Sequence, residues 1–355
     1  MGLHAHLPQD AACLYSAPIL TVVWRPFVAA VYDVVGLGNA IVDVIAKADE
    51  EFLTANGLVK NAMRLISAEE ADALYAKMGP GLEMSGGSAG NTMAALASLG
   101  GKGAFVGKVA HDQLGKVYRH DIRAAGVVFD TPDLTDGKPT GSCLILVTPD
   151  GHRTMNTFLG ACLDLTPDDI DPAVIQSAKV TYMEGYLWDP PAAKQAFLKA
   201  ASLAHAAGQK VALSLSDPFC VNRHLDSFRD LVKNHVDILF ANESEIVALF
   251  GGDFDSAAAE ARQSVEVAVL TRGEAGATVL VGDDTYTVSA EKVAHVVDTT
   301  GAGDLFAAGF LFGYTQGRDP ADCARLGAIC AGEIITHYGA RSEVNLAELV
   351  KSKGL

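Results

Sequence analysis

The fold turns on Val34-Val35-Gly36-Leu37-Gly38-Asn39-Ala40-Ile41-Val42-Asp43, VVGLGNAIVD. A short β-rich run breaks at Gly-x-Gly, as the first strand of a dinucleotide-binding unit does. The third glycine of G-x-G-x-x-G is replaced by Ile41, so close packing on a pyrophosphate loses a required position. That argues against a nicotinamide dehydrogenase. Asn39 and Asp43 stand four residues apart, and Asp43 could accept hydrogen bonds from two neighbouring hydroxyls. A plain strand-end turn fits the same residues.

Outward from this stretch the chain alternates between β and α texture. Short β-rich runs are expected at 33–37, 104–109, 180–184, 211–215, 238–241 and 267–271. Helical spacing covers 90–99 and 191–207 and separates several of those runs. The pattern implies an α/β fold, a mainly parallel sheet flanked by helices. Between Gly137 and Gly160 the texture changes to two strands around Pro149-Asp150-Gly151, read as a hairpin and a candidate lid. No internal repeat or low-complexity linker marks a domain boundary after residue 31.

Lys and Arg number 27 against 43 Asp and Glu, a formal charge of −16. Such a surface repels nucleic-acid phosphates, so no nucleic-acid partner is expected. Hydrophobic residues at 49% suffice for a large core. The six cysteines (Cys13, Cys143, Cys162, Cys220, Cys323, Cys330) form no C-x-x-C pair and read as free thiols of a cytoplasmic protein. The apolar run 17–24 has no preceding Lys or Arg and is broken by Arg25-Pro26, so neither an export signal nor a membrane span is expected. Residues 1–30 read as an extension, disordered or not native.

Two glycine clusters carry chemistry. In Val297–Phe310, VDTTGAGDLFAAGF, glycines precede an apolar helix whose free N–H groups and dipole make an anion site suited to phosphate. Asp304 lies at the mouth of that helix, where it could take a proton from an attacking hydroxyl. The helix end is expected to favour its ionised form. The alternative is that Asp298 or Asp304 is only an N-cap. In Ser85–Asn91, SGGSAGN, paired glycines allow a ligand to lie against the backbone, and Asn91 could bind a sugar hydroxyl. An ordinary loop with Ser88 as cap is the alternative there. Asn242-Glu243-Ser244-Glu245 follows an apolar strand and could hold Mg²⁺ through water, or form a capping box with Asn242 as cap. Thr271-Arg272-Gly273 also ends a strand, flanking a nucleotide or only turning the chain. The ten histidines show no metal-ligand spacing.

Together and in this order, GGSAGN and DTTGAGDLFAAGF resemble the two signatures of the PfkB family, the ribokinase-like carbohydrate and nucleoside kinases, over about Tyr32 to Gly339. Further strings, GLGNAIVDVIAKADEEFL, PTGSC, LSLSDPF and VDILFANESE, are most similar to the family's adenosine-phosphorylating members. The resemblance implies a ribokinase-like domain over 31–355 with β-lid segments near 42–66 and 137–160. It implies ATP-dependent phosphorylation of the ribose 5′-hydroxyl of adenosine in purine salvage, with Mg²⁺ and, as a candidate, K⁺. Asp304 would be the base, and Thr300, Gly301, Ala302 and Gly303 the anion hole. Asp43, Gly86, Gly87 and Asn91 would hold the ribose, and Asn39 and Ser88 would reach the purine. Cys143, Met155 and Thr157 match lid positions over the nucleoside, and Arg153 a lid arginine near the phosphate. Asn242, Thr271 and Gly273 fall on the ATP side, with Glu245 organising the magnesium. Rival readings are a family kinase acting on guanosine, inosine or a sugar such as ribose, and a non-catalytic nucleoside sensor. The oligomeric state, monomer or dimer, is left open.

Overall fold

The computed structural model describes Met1 and residues 30–355. The extension and the thiol of Cys13 fall outside the described residues. In chain order the strands are β1 (Tyr32–Leu37), β2 (Ile41–Lys47), β3 (Met63–Leu65), β4 (Gly81–Ser85), β5 (Gly103–Val106), β6 (Gly141–Val147), β7 (Arg153–Phe158), β8 (Ala178–Glu184), β9 (Lys210–Ser214), β10 (Ile238–Asn242), β11 (Val267–Thr271), β12 (Ala277–Val281) and β13 (Asp284–Val288).

Eight of them form one sheet in the order β13-β12-β11-β10-β9-β8-β1-β5. From β5 to β11 every neighbour is parallel, and β12 and β13 add an antiparallel edge. A parallel sheet is covered on both faces, and the residues show it. Val34, Ala212, Ile238 and Phe240 belong to one core cluster, packed with Met93, Phe306 and Phe310 of the helices Ser88–Ser98 and Ala302–Thr315. Their chain neighbours Val35, Val211, Leu213 and Leu239 belong to a second cluster, with Phe197 and Ala200 of the helix Pro191–Ala206. The alternation is the strand's period of two, with apolar residues in both registers. The α/β class read from the sequence is borne out.

After Leu37 the chain leaves the large sheet and enters a second one, ordered β3-β7-β6-β2-β4. β6 and β7 form a hairpin with Val147 opposite Arg153, and β2 runs parallel to β6 with Asp43 opposite Cys143. The small sheet is built from two excursions, one between β1 and β5 and one between β5 and β8. Its edge strand β3 is exposed along its length, with Met63 and Leu65 half exposed. Among the described residues no helix is long and apolar enough to cross a membrane. Five cysteines in the described part are free and buried.

Candidate active site

Between the two sheets lies a cavity of about 1100 Å³. Residues of the small sheet, Asp43, Cys143, Arg153, Met155 and Thr157, share its lining with residues at the carboxyl ends of the large sheet, Glu184, Asn242 and Thr271. Open α/β sheets place ligands at those strand ends.

Asp304 occupies the first turn of Ala302–Thr315, whose cap Gly301 takes the left-handed φ of 79° that glycine tolerates best. Its Oδ1 accepts from Ser88 Oγ at 2.6 Å and its Oδ2 from Asn91 Nδ2 at 3.2 Å. Ser88 and Asn91 lie in the first turn of Ser88–Ser98, where Gly87 (φ 82°) is the cap, so Ser88 is a helical residue rather than the cap. Asp304 is likewise no cap. The expectation that its ionised form is favoured is corrected: burial pushes its carboxyl above the usual range, and the bonds from Ser88 and Asn91 and the charge of Arg341 only partly oppose this.

Asp43 projects from β2 into the same cavity. Gly86 does not line the cavity but lies behind Asp43: a Cβ there would sit 2.5 Å from the Asp43 carboxyl carbon. Burial raises the Asp43 carboxyl to about 6 against the pull of Arg153 and Arg341. Gly87, Ser88 and Asn91 line the cavity beside it. Cys143 and Thr157 stand opposite each other on β6 and β7, Thr157 Oγ1 donating to Cys143 Sγ at 3.3 Å. Burial pushes that thiol up to about 12, so it is a packing group and not a nucleophile.

Arg153 ion-pairs with Asp298, which also accepts from the backbone N–H and hydroxyl of Thr300 at 3.0 and 2.8 Å. The anion loop is thus tied to β7. Asn242 and Glu245 form the capping box: Glu245 Oε2 accepts from the Asn242 backbone N–H at 2.9 Å and Oε1 from Asn242 Nδ2 at 2.7 Å. Burial, and after it Asp217 and Asp304, raise the Glu245 carboxyl to about 7. Thr271, Gly273, Thr300, Ala302 and Gly303 complete this end of the cavity.

Four lining or supporting groups were not singled out from the sequence. Glu184 ends β8, and the strand-end rule applied at Asn242 would have found it. Tyr186 and Phe219 line the cavity, Phe219 at 71% exposure with Arg223 over its ring at 5.1 Å. Arg341 stands in an irregular loop with no local signal, yet donates to the Ser85 carbonyl at 2.7 Å and the Gly90 carbonyl at 2.9 Å.

Residues 57–346 match the model of the pfkB family of carbohydrate kinases. The chain is similar to the adenosine kinase of Sinorhizobium meliloti, at 51% identity over 91% of this chain and 99% of that one, with a TM-score of 0.84. It is equally similar to a probable sugar kinase of Rhizobium etli CFN 42, at 50% identity over 92% and 99%, TM-score 0.85. The adenosine kinase of Saccharomyces cerevisiae is 30% identical over 327 residues, 85% of this chain and 94% of that protein.

Proposed function

Because the chain belongs to the pfkB family of carbohydrate kinases and is a phosphotransferase with an alcohol acceptor, we propose that its acceptor is the ribose 5′-hydroxyl of adenosine. The observation that carries this reading is the apolar part of the cavity lining, to which Ile145, Met155 and Leu159 from the small sheet's side contribute together with Tyr186 and Phe219. A bare sugar offers such walls little apolar area beside its hydroxyls. A purine offers them a flat apolar face, worth about 25 cal/mol for each Å² removed from water.

In this reading the nucleoside lies between the sheets with its ribose on Asp43, Gly87 and Asn91 and its base toward Cys143, Met155 and Phe219. The 5′-oxygen attacks the γ-phosphorus of ATP, the bond to the β–γ bridging oxygen breaks, and Asp304 takes the hydroxyl proton. The transition state is loose, so orientation and charge neutralisation outweigh basicity. The backbone N–H groups around Gly301, Ala302 and Gly303 receive the transferring phosphoryl group. Thr271 and Gly273 flank the nucleotide. Magnesium would be held near Asn242 and Glu245 through water and would neutralise phosphate charge. The donor set fits a hard cation, because Glu245 and Asp217 crowd each other's negative charge. The second sheet acts as the lid that excludes water.

The test is ADP release under saturating Mg-ATP with adenosine, inosine, guanosine, ribose and fructose. Adenosine should lead. Ribose should lose kcat as well as raise KM, since the base's binding energy orders the lid. A kcat/KM for ribose or fructose at or above that for adenosine overturns the nucleoside reading.

A further inference from the structure

A second groove, of about 820 Å³, shares no lining residue with the cavity between the sheets. Its walls come from the end of β2 and the helix Glu50–Ala55, through Lys47 and Phe52, and from the tip of the β6–β7 hairpin, through Val147, Pro149 and Gly151. Lys60 ties these walls to each other. Its Nζ ion-pairs with Glu50 at 2.5 Å and with Asp150 in the hairpin turn. Among the described lining residues, only Tyr338 comes from outside the two excursions that build the small sheet. It stands beyond the helix Pro320–Ile334, in the loop that also carries Arg341.

Tyr338 packs on Gly151. A Cβ on that glycine, whose φ is 87°, would lie 1.7 Å from Tyr338 Oη and 2.8 Å from Cζ, so only glycine fits the turn while the ring is docked. The hydroxyl forms no hydrogen bond among the described residues, so contact alone holds the ring. Tyr338 is 45% exposed, and its departure opens no core. Both sides of this contact lead to the active site. Arg153 follows Gly151 by two residues and ion-pairs with Asp298, which also accepts from the backbone N–H of Gly339, next to Tyr338, at 3.4 Å. The hairpin therefore cannot swing away from the body without undocking Tyr338 and parting Arg153 from the anion loop.

We propose that Tyr338 is the latch of the small sheet: docked on Gly151, it holds the hairpin tip against the body and keeps Arg153 in register with the anion loop. The same hairpin carries Cys143, Met155 and Thr157 of the cavity lining, so the latch sets how often the cavity stands open. Tyr338 is a positioning residue that acts through the hairpin and touches no substrate. The proposal rests on the proposed function only for the choice of adenosine as the probe.

Tyr338→Ala removes the ring, Tyr338→Phe keeps it, and Gly151→Ala displaces it from the other side. Hydrogen exchange of the ligand-free protein and adenosine dissociation by rapid mixing are measured for the wild type, these three variants and the double variant Tyr338→Ala with Gly151→Ala. In Tyr338→Ala, exchange over 147–158 should speed about tenfold while β8 to β11 stay unchanged, the mark of a local opening. Adenosine should leave about tenfold faster and bind correspondingly more weakly, because a ligand that needs the closed state loses affinity in proportion to that state's population. Tyr338→Phe should stay within about threefold of the wild type in both measurements, since the apolar contact survives. The double variant should dissociate adenosine no more than about twofold faster than Tyr338→Ala, because both changes break one contact. Unchanged hairpin exchange in Tyr338→Ala, a Tyr338→Phe variant as fast as Tyr338→Ala, or acceleration that spreads to β8 to β11 overturns the proposal. A wild type that fails to bind adenosine would instead sink the nucleoside reading, and exchange in the ligand-free protein still decides the latch.

Discussion

Two carboxylates in the cavity are held against their own chemistry, and that makes them separable by experiment. Asp304→Asn keeps the side chain's shape beside Ser88 but removes the proton acceptor. It should lower kcat by about 10² to 10⁴ while leaving the dissociation constant of adenosine within about threefold, and a variant with more than half of the wild-type kcat refutes the assignment. Asp43 carries a stability signature as well. Its folded carboxyl titrates near 6, above the usual 3.8, because burial disfavours the charge. The native state therefore binds that proton more tightly than the unfolded chain, so the group costs stability above pH 6 and the cost disappears as pH falls toward 4. Asp43→Asn should raise Tm by about 2 to 4 °C at pH 8 and by much less at pH 4.5, while weakening adenosine binding about tenfold or more. Thermal scans at the two pH values and calorimetry check both halves. A Tm gain equal at both pH values would show that the charge is not its source. The same displacement predicts the acid limb of the rate profile. With Asp43 near 6 and Glu184 and Glu245 near 7, kcat/KM should fall as pH drops through 7 to 6, not near 4 where ordinary carboxylates titrate.

At the scale of elements, the loops are held by bonds that cross long stretches of sequence. Arg341 joins its irregular loop to the end of β4 and the start of Ser88–Ser98 through Ser85 and Gly90, and Ser85 is held in turn by Asp121 through its N–H at 2.8 Å and its hydroxyl at 2.6 Å. The guanidinium makes no ion pair among the described residues, so burial lowers its pKa, with Tyr118, Asp121, Asp43 and Asp304 opposing. Arg341→Met leaves two carbonyls short of a donor and loosens Gly86–Gly87 behind Asp43. We expect Tm to fall by about 2 to 5 °C and KM for adenosine to rise more than KM for ATP, which thermal scans and initial rates compare. Equal rises for both substrates would place the effect in global loosening. These long bonds also mark what the sequence could tell. The parallel strands of the large sheet, the β6–β7 hairpin and the glycine loops were legible because each is fixed by neighbours within a few residues: the apolar runs of β8 to β11, the left-handed Gly301, the Asn242 box; β2, β3, β4, β12 and β13 were not expected from the sequence pattern. Ser88 and Asn91 were legible as site residues, but their bond to Asp304 was not, since it spans 216 positions for Ser88. Arg341 sits 256 positions from Ser85 and stands in no periodic or turn-forming context, so nothing near it announces its partner. The ionisation of Asp304 was misread for a related reason: the helix end is visible in the sequence, whereas the burial that outweighs it is a property of the assembled cavity.

For the whole molecule, the cavity between two sheets predicts that ligand binding is felt unevenly. Strands β8 to β11 of the large sheet are buried for most of their length, whereas β3 is exposed along its length and β4 is buried only toward Ser85. Adenosine should slow amide exchange in 63–65 and 81–85 and leave β9 to β11 unchanged, measured by hydrogen exchange with and without ligand. Uniform protection across both sheets would contradict a closing lid. The order of the large sheet has a further consequence, for the chain as it is made. β1 is flanked by β5 and β8, and β8 ends at Glu184, with both excursions of the small sheet lying between. On the ribosome β1 therefore stays open on one side until the eighth strand emerges, on the order of ten seconds or more later at 5 to 20 residues per second. The apolar VVGL of β1 is a segment that a nascent-chain chaperone would shield through that interval.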